Sequence, residues 1–244
     1  MKNWNYYHGT TELSYESIKK YGFLVGDVKY NKYLAPQGIY FVCNRPLIAR
    51  RFACIAHLSD GSPPIVLNVK LKIPHSEHIL DLTKDDGLYD LYMTHKKIRQ
   101  LLASPRLGTH DPHEYNRTLS EKDKKFMEKI NAFQSYSKKN RRTANWDSVA
   151  IELLVSMLNI KIVVAAFQEG MTFIKAFSGK EPKYKKSRHF GGIRARDHIE
   201  VCVTDPSIID RKRLSIRDIS LDNRDFHDDS LGYISFITNI HGDD

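Results

Sequence analysis

Three short stretches carry the side chains best suited to binding or chemistry. Near the N-terminus, Tyr7-His8-Gly9-Thr10-Thr11 sets an imidazole beside a glycine. About thirty residues on, Gly38-Ile39-Tyr40-Phe41 opens a strand-like run with glycine and presents a phenol. Far downstream, Glu200 lies in a second strand-like run, Ile199-Glu200-Val201-Cys202-Val203. An imidazole can donate or accept a hydrogen bond, a phenol adds an aromatic face, and an ionised carboxylate only accepts. Each also has a plain structural reading. His8 can be a capping or satisfied buried residue, Tyr40 a core aromatic, and Glu200 the solvent-facing position of an alternating strand. The order and spacing of the three stretches are what carry information.

The elements that must position them follow from local patterns. Thr11 is a good N-cap for a helix that carries Leu13, Ile18 and Tyr21 and stops at Gly22. After a loop over residues 26–37, Ile39-Tyr40-Phe41-Val42 reads as a buried strand. Pro46 suits a first helical position, with Leu47, Ile48, Phe52 and Ile55 as the apolar stripe. Gly61-Ser62-Pro63-Pro64 breaks the chain. Residues 65–73 alternate, with Ile65, Leu67, Val69, Leu71 and Ile73 on one face, which predicts a half-exposed strand. Residues 79–82 form one more short strand.

From Thr83 to Leu158 the period turns helical. Leu88, Leu91, Tyr92, Ile98 and Leu102 suit one amphipathic helix, ended by Ser104-Pro105. His110, Asp111, His113 and Glu114 follow in a loop, at a spacing that matches no strong metal motif; the reading is a solvated loop and no metal. Ser120 and Asp123 approximate a capping box for a helix lined by Phe126, Met127, Ile130 and Phe133. A basic block, Lys138 to Arg142, comes next. Asn145 or Asp147 then caps a third helix over 149–158, apolar nearly all round and so predicted to be deeply buried. Strands are predicted again at 160–167, at 171–177 as a hairpin partner, at 198–204 and at 233–238. The whole reads as one α+β domain over residues 1–244, with a mainly helical insertion at about 83–158.

Composition narrows the class. The 244 residues are 41% hydrophobic and 27% charged, as in a soluble globular protein. No apolar run approaches the ~20 residues a spanning helix needs, and Met1-Lys2-Asn3-Trp4-Asn5 lacks the apolar core of a signal peptide. The expectation is a cytoplasmic protein with no membrane partner. Cys43, Cys54 and Cys202 have apolar neighbours and no metal spacing, so they read as buried free thiols. A net charge of +9 and a pI near 9.3 favour polyanionic partners through long-range electrostatics.

With these residues in hand, the chain resembles the ADP-ribosyltransferases, in particular the His-Tyr-Glu class that includes diphtheria toxin and the poly(ADP-ribose) polymerases. Tyr7-His8-Gly9-Thr10 is similar to that family's first motif and Gly38-Ile39-Tyr40-Phe41 to its second, followed by the usual helix. Glu200, with Asp205 five positions later, is similar to the third. Residues 83–158 have no counterpart. The resemblance implies a split β-sheet core and NAD as the substrate. An enzyme of this kind breaks the nicotinamide–ribose bond through a ribosyl cation, which calls for negative charge near the sugar and an anchored leaving group. It implies that Glu200 bonds the nicotinamide ribose 2′-hydroxyl and stabilises the cation. His8, as a neutral imidazole, would hydrogen-bond a ribose hydroxyl. Gly9 would offer its backbone to the carboxamide, where a Cβ would obstruct. Tyr40, with Phe52, would sandwich the nicotinamide ring, and Thr10 would reach the adenosine ribose.

The acceptor is not implied by the fold. The loop before Glu200 carries Lys180, Lys183, Lys185, Lys186, Arg188, His189, Arg194 and Arg196, with Tyr184 and Phe190 between them. Cations interleaved with aromatics suit single-stranded nucleic acid, and a solvated loop is the equal alternative. Lys183, Lys185, Lys186, Arg188, Arg194 and Arg196 are the acceptor-binding candidates. Position 198 is His rather than the acid that arginine-modifying relatives carry, which argues against arginine as acceptor. The expected function is mono-ADP-ribosyl transfer by a toxin-like or defence effector. RNA is slightly favoured over DNA as the nucleic-acid acceptor, and an inhibitor protein is the expected partner. Transfer to protein, NAD hydrolysis and a non-catalytic nucleic-acid-binding module stay open.

Overall fold

Thr11 accepts the backbone N–H of Ser14 and opens helix α1 (Glu12–Tyr21), which Gly22 closes at φ 86°. Its hydroxyl also donates to Asp60 Oδ2 at 2.6 Å, tying that turn to the end of a second helix. The computed structural model describes residues 4–26, 34–103, 120–139, 145–167 and 198–217. Its strands are β1 (Tyr6–Thr11), β2 (Ile39–Cys43), β3 (Pro64–Val69), β4 (Ile79–Asp81), β5 (Ile162–Phe167), β6 (His198–Val203) and β7 (Ser215–Arg217). The further helices are α2 (Pro46–Asp60), α3 (Asp85–Ala103), α4 (Glu121–Lys139) and α5 (Trp146–Leu158). The strands form one seven-stranded sheet in the order β4-β5-β6-β2-β1-β3-β7. Only β4 and β5 run parallel; the other neighbours are antiparallel. The architecture is therefore mixed α+β.

Helices cover one face of the sheet. Leu91 and Ile98 of α3, Phe126, Ile130 and Phe133 of α4, and Val149, Ile151 and Leu154 of α5 share one core with Val163, Ala165 and Cys202 of the sheet. The helical segment is thus a wall of the sheet's own core. Ser120 caps α4 as expected, accepting from Asp123 N–H and donating to its carboxylate. Of the two candidate caps for α5, Asn145 is the one used, accepting from Asp147 N–H. Helix α2 covers β1 and β3 on this same face, where Ile48 and Ala49 meet Tyr7, Val42 and Val66. The opposite face holds Tyr6, Ile39, Phe41, Leu67, Val69, Val201 and Val203 around Phe23 and Ile208.

Several expectations need correction. Strand β3 ends at Val69 rather than Ile73, and it is not half-exposed: Val66 is buried under α2 while Leu67 and Val69 are buried on the other face. In α1, Leu13 and Tyr21 are exposed and no residue is buried, because only Tyr15 and Ile18 lean on the sheet. Helix α5 is buried over its first turns, but Met157 and Leu158 at its end are exposed. Cys43 and Cys202 are buried and Cys54 is half-buried, and none of the three is in a disulfide among the described residues. The segments 104–119, 171–177 and 233–238 lie outside the described residues, and with them the His110–Glu114 cluster and two of the expected strands. Among the described residues, no helix is long and apolar enough to cross a membrane.

The sheet opens at its centre. The β1–β2 ladder consists of Tyr6↔Cys43 and Tyr7↔Val42 alone. Beyond it, β1 continues against β3 from His8 to Thr11, while Ile39 to Phe41 of β2 stay paired with β6. The two halves of the sheet part at the positions of His8, Gly9 and Tyr40.

Candidate active site

The opening is built by backbone alternation. Asn44 N–H donates to the Asn5 carbonyl at 2.8 Å. In an antiparallel ladder every second residue turns its polar groups to the same neighbour, so Asn5, Tyr7 and Gly9 all address β2. Tyr7 meets Val42 there. Gly9 comes after the strands part, so its N–H and C=O face the gap. The Tyr40 carbonyl that a continuing ladder would give to Gly9 instead accepts from the His8 ring, Nδ1 to O at 2.8 Å.

That bond defines the state of His8. A carbonyl only accepts, so Nδ1 carries the proton and Nε2 keeps its lone pair. Burial holds the imidazole below its ordinary pKa, with the Tyr40 carbonyl a smaller opposing influence. The ring is neutral at pH 7, with a second nitrogen able to accept a hydroxyl proton. It packs edge-on against Phe23 at 5.2 Å and tilted against Phe41 at 5.6 Å.

His8 therefore lies on the Phe41 face of the sheet, whereas Tyr40 packs toward the helical wall. Thr10 alternates onto the His8 side of β1 and is buried. These residues do not form one cluster: His8 and Thr10 lie on one face of the sheet, and Tyr40 and Glu200 on the other.

The His8 geometry carries a pH prediction. The folded pKa is depressed, so the unfolded chain takes up the proton first. Stability from this residue is complete above the ordinary histidine pKa and falls as pH drops below about 6.5, levelling off beneath the folded pKa. Denaturant melts of wild type and His8→Asn between pH 8 and 5 should converge as pH falls. Parallel profiles would show that His8 is not held neutral.

Tyr40 and Glu200 share a face of neighbouring strands. Glu200 stands opposite Val42, and Tyr40 stands opposite Cys202. Tyr40 and Val42 alternate onto one side, as do Glu200 and Cys202, which sets Tyr40 diagonal to Glu200, on the order of 7–8 Å between backbones. The Tyr40 hydroxyl donates to the Ala35 carbonyl at 2.8 Å, and burial raises its pKa well above the ordinary value, with Cys202 and Glu200 adding to the rise. Tyr40 is therefore half core residue, half wall of the gap.

Glu200 does not point to solvent: its side chain is 12% exposed. Its Oε1 is 2.9 Å from His198 Nε2, and His198 stacks on Phe167 with centroids 5.8 Å apart and planes 26° apart. The period-2 pattern His198-x-Glu200-x-Cys202 is the sequence signal for this pair.

Both motif glycines have packing reasons. A Cβ on Gly9 would fall 1.8 Å from the Ala49 carbonyl oxygen and 2.6 Å from Ala53 N, so α2 lies directly on it. The approach of α2 is thus a reason of its own for glycine at this position. A Cβ on Gly38 would fall 2.1 Å from Cys202 Sγ. Phe52, on α2, is 38% exposed. It contributes an accessible ring on the helix that covers β1. Lys183, Lys185, Lys186, Arg188, Arg194 and Arg196 lie outside the described residues. Comparison of the chain with family models, with curated proteins and with solved structures gives no match.

Proposed function

We propose that the chain is an NAD-dependent mono-ADP-ribosyltransferase with a split-sheet core of the His-Tyr-Glu kind. The observation that carries the proposal is the central opening. It sets the Gly9 backbone edge, the neutral His8 ring and Tyr40 at one gap between β1 and β2, with Glu200 on the next strand, diagonal to Tyr40 and on its face of the sheet. A split sheet with three of these groups at the split and the carboxylate on the adjoining strand supports the motif resemblance through register.

In this reading Gly9 N–H and C=O pair with the carboxamide of nicotinamide, and Tyr40 gives its ring face to the pyridine. His8 Nε2 accepts from a ribose hydroxyl, and Thr10 stands beside it. Glu200 places a fixed negative charge where the C–N bond breaks. The bonding pair leaves with nicotinamide, the ribosyl carbon becomes cationic, and the acceptor's lone pair forms the new bond. Preorganised charge of this sort is where most of the rate arises. The acceptor is a nucleic acid, RNA in preference to DNA, held by the cations of residues 180–196. The setting is that of a toxin-like or defence effector in the cytoplasm, restrained by an inhibitor protein.

Incubation with labelled NAD and cell lysate, then separate nuclease and protease digestion, tests this. Nuclease-sensitive label supports the nucleic-acid acceptor. Protease-sensitive label moves the acceptor to protein, free ADP-ribose alone moves the activity to hydrolysis, and intact NAD removes the enzyme.

The Tyr40 role has its own expected result. Tyr40→Phe keeps the ring and loses the bond to Ala35, so NAD affinity should change less than about 2-fold while stability falls by about 1 kcal/mol. Tyr40→Ala should weaken NAD binding by about 1 kcal/mol, roughly 5-fold. Calorimetric titration with NAD decides it: equal affinity in folded Tyr40→Ala excludes stacking.

A further inference from the structure

We propose that His198 is a positioning residue for Glu200, fixing the orientation of its carboxylate so that Oε2 alone meets the substrate; this rests on the ADP-ribosyl transfer reading. The two residues occupy alternate positions on β6 and so rise from the same face. His198 Nε2 and Glu200 Oε1 are 2.9 Å apart, and both side chains are nearly closed to solvent, 9% and 12% exposed. Phe167, opposite His198 in the β5–β6 ladder, stacks on the imidazole and holds its plane.

A glutamate has three rotatable bonds, and a carboxylate free to swing would serve poorly beside a transient cation. Here one oxygen is held by a ring that is itself held by a ring. Among the described residues, Oε2 has no hydrogen-bond partner. Along β6 the face runs from Cys202, beside Tyr40, through Glu200 to His198. His198 therefore holds the carboxylate from the side of Glu200 away from Tyr40.

Two substitutions separate the hydrogen bond from the stacking. His198→Phe keeps a ring against Phe167 and has no donor. His198→Gln keeps a donor and has no ring. The expected result is a fall in kcat for NAD cleavage on the order of 10-fold to 100-fold in His198→Phe, with KM for NAD changed less than about 2-fold. His198→Gln should stay within about 3-fold of wild type. Thermal melting of both variants reports folding. Wild-type kcat in His198→Phe, or equal impairment in the two variants, overturns the proposal. Glu200→Gln is measured alongside: if it cleaves NAD like wild type, the transferase reading is what has failed.

Discussion

Glu200→Gln is expected to lower NAD turnover on the order of 10²-fold or more, the loss seen when an electrostatic stabiliser is removed. The substitution is nearly isosteric. The backbone stays locked between Val42 of β2 and Ala165 of β5, and the amide oxygen can still accept from His198. What disappears is the negative charge, which matters only as the ribosyl cation forms. NAD binding should therefore be largely kept, and the effect should appear in kcat rather than KM. Stability should not fall, because a neutral amide is easier to bury than a carboxylate. Steady-state NAD cleavage and thermal melting together check this. A folded Gln variant with wild-type turnover would remove Glu200 from the chemistry and the transferase assignment with it.

Gly9→Ala should be strongly destabilising, even without any ligand present. The atoms a Cβ would strike are backbone atoms of Ala49 and Ala53. They cannot rotate away, so α2 must lift from β1. Overpacking of this type costs about 1–3 kcal/mol, and backbone contact argues for the upper end. At this chain length that is on the order of 10 °C in Tm. The shift would also move Phe52 and part the layer holding Tyr7, Val42 and Val66. A ligand-only role for Gly9 predicts the opposite pattern, a normal melt and lost NAD affinity. Melting curves of the free protein distinguish the two.

The same glycine shows how far local sequence reaches. Sequence supplied a glycine after His8 and a reason drawn from resemblance. The α2 backbone that makes Gly9 necessary is some forty residues away, and nothing in the Tyr7-His8-Gly9-Thr10 stretch signals its approach. Gly38 is alike: the atom against it, Cys202 Sγ, comes from the far end of the chain.

Features controlled by short-range physics are legible in the chain alone. Caps and stops are legible because a side chain satisfies, or a backbone angle releases, groups within four residues: Thr11 and Gly22 bound α1, Ser120 opens α4, and Asn145 opens α5. The buried strands around Tyr40 and Glu200 are legible for the same reason, as runs of apolar residues at a strand period. Features that depend on which strand lies beside which are set by the packed fold. Val66 is buried because α2 crosses it, though its alternation reads as solvent-facing. The Tyr40 carbonyl turns to His8 because β1 and β2 stop pairing after two residues. The His198 ring stacks on Phe167 because β5 pairs with β6 in the register that sets the two residues opposite each other. These are contacts between segments far apart in the chain, set by register and layer packing, and a period of two or 3.6 residues carries no information about either.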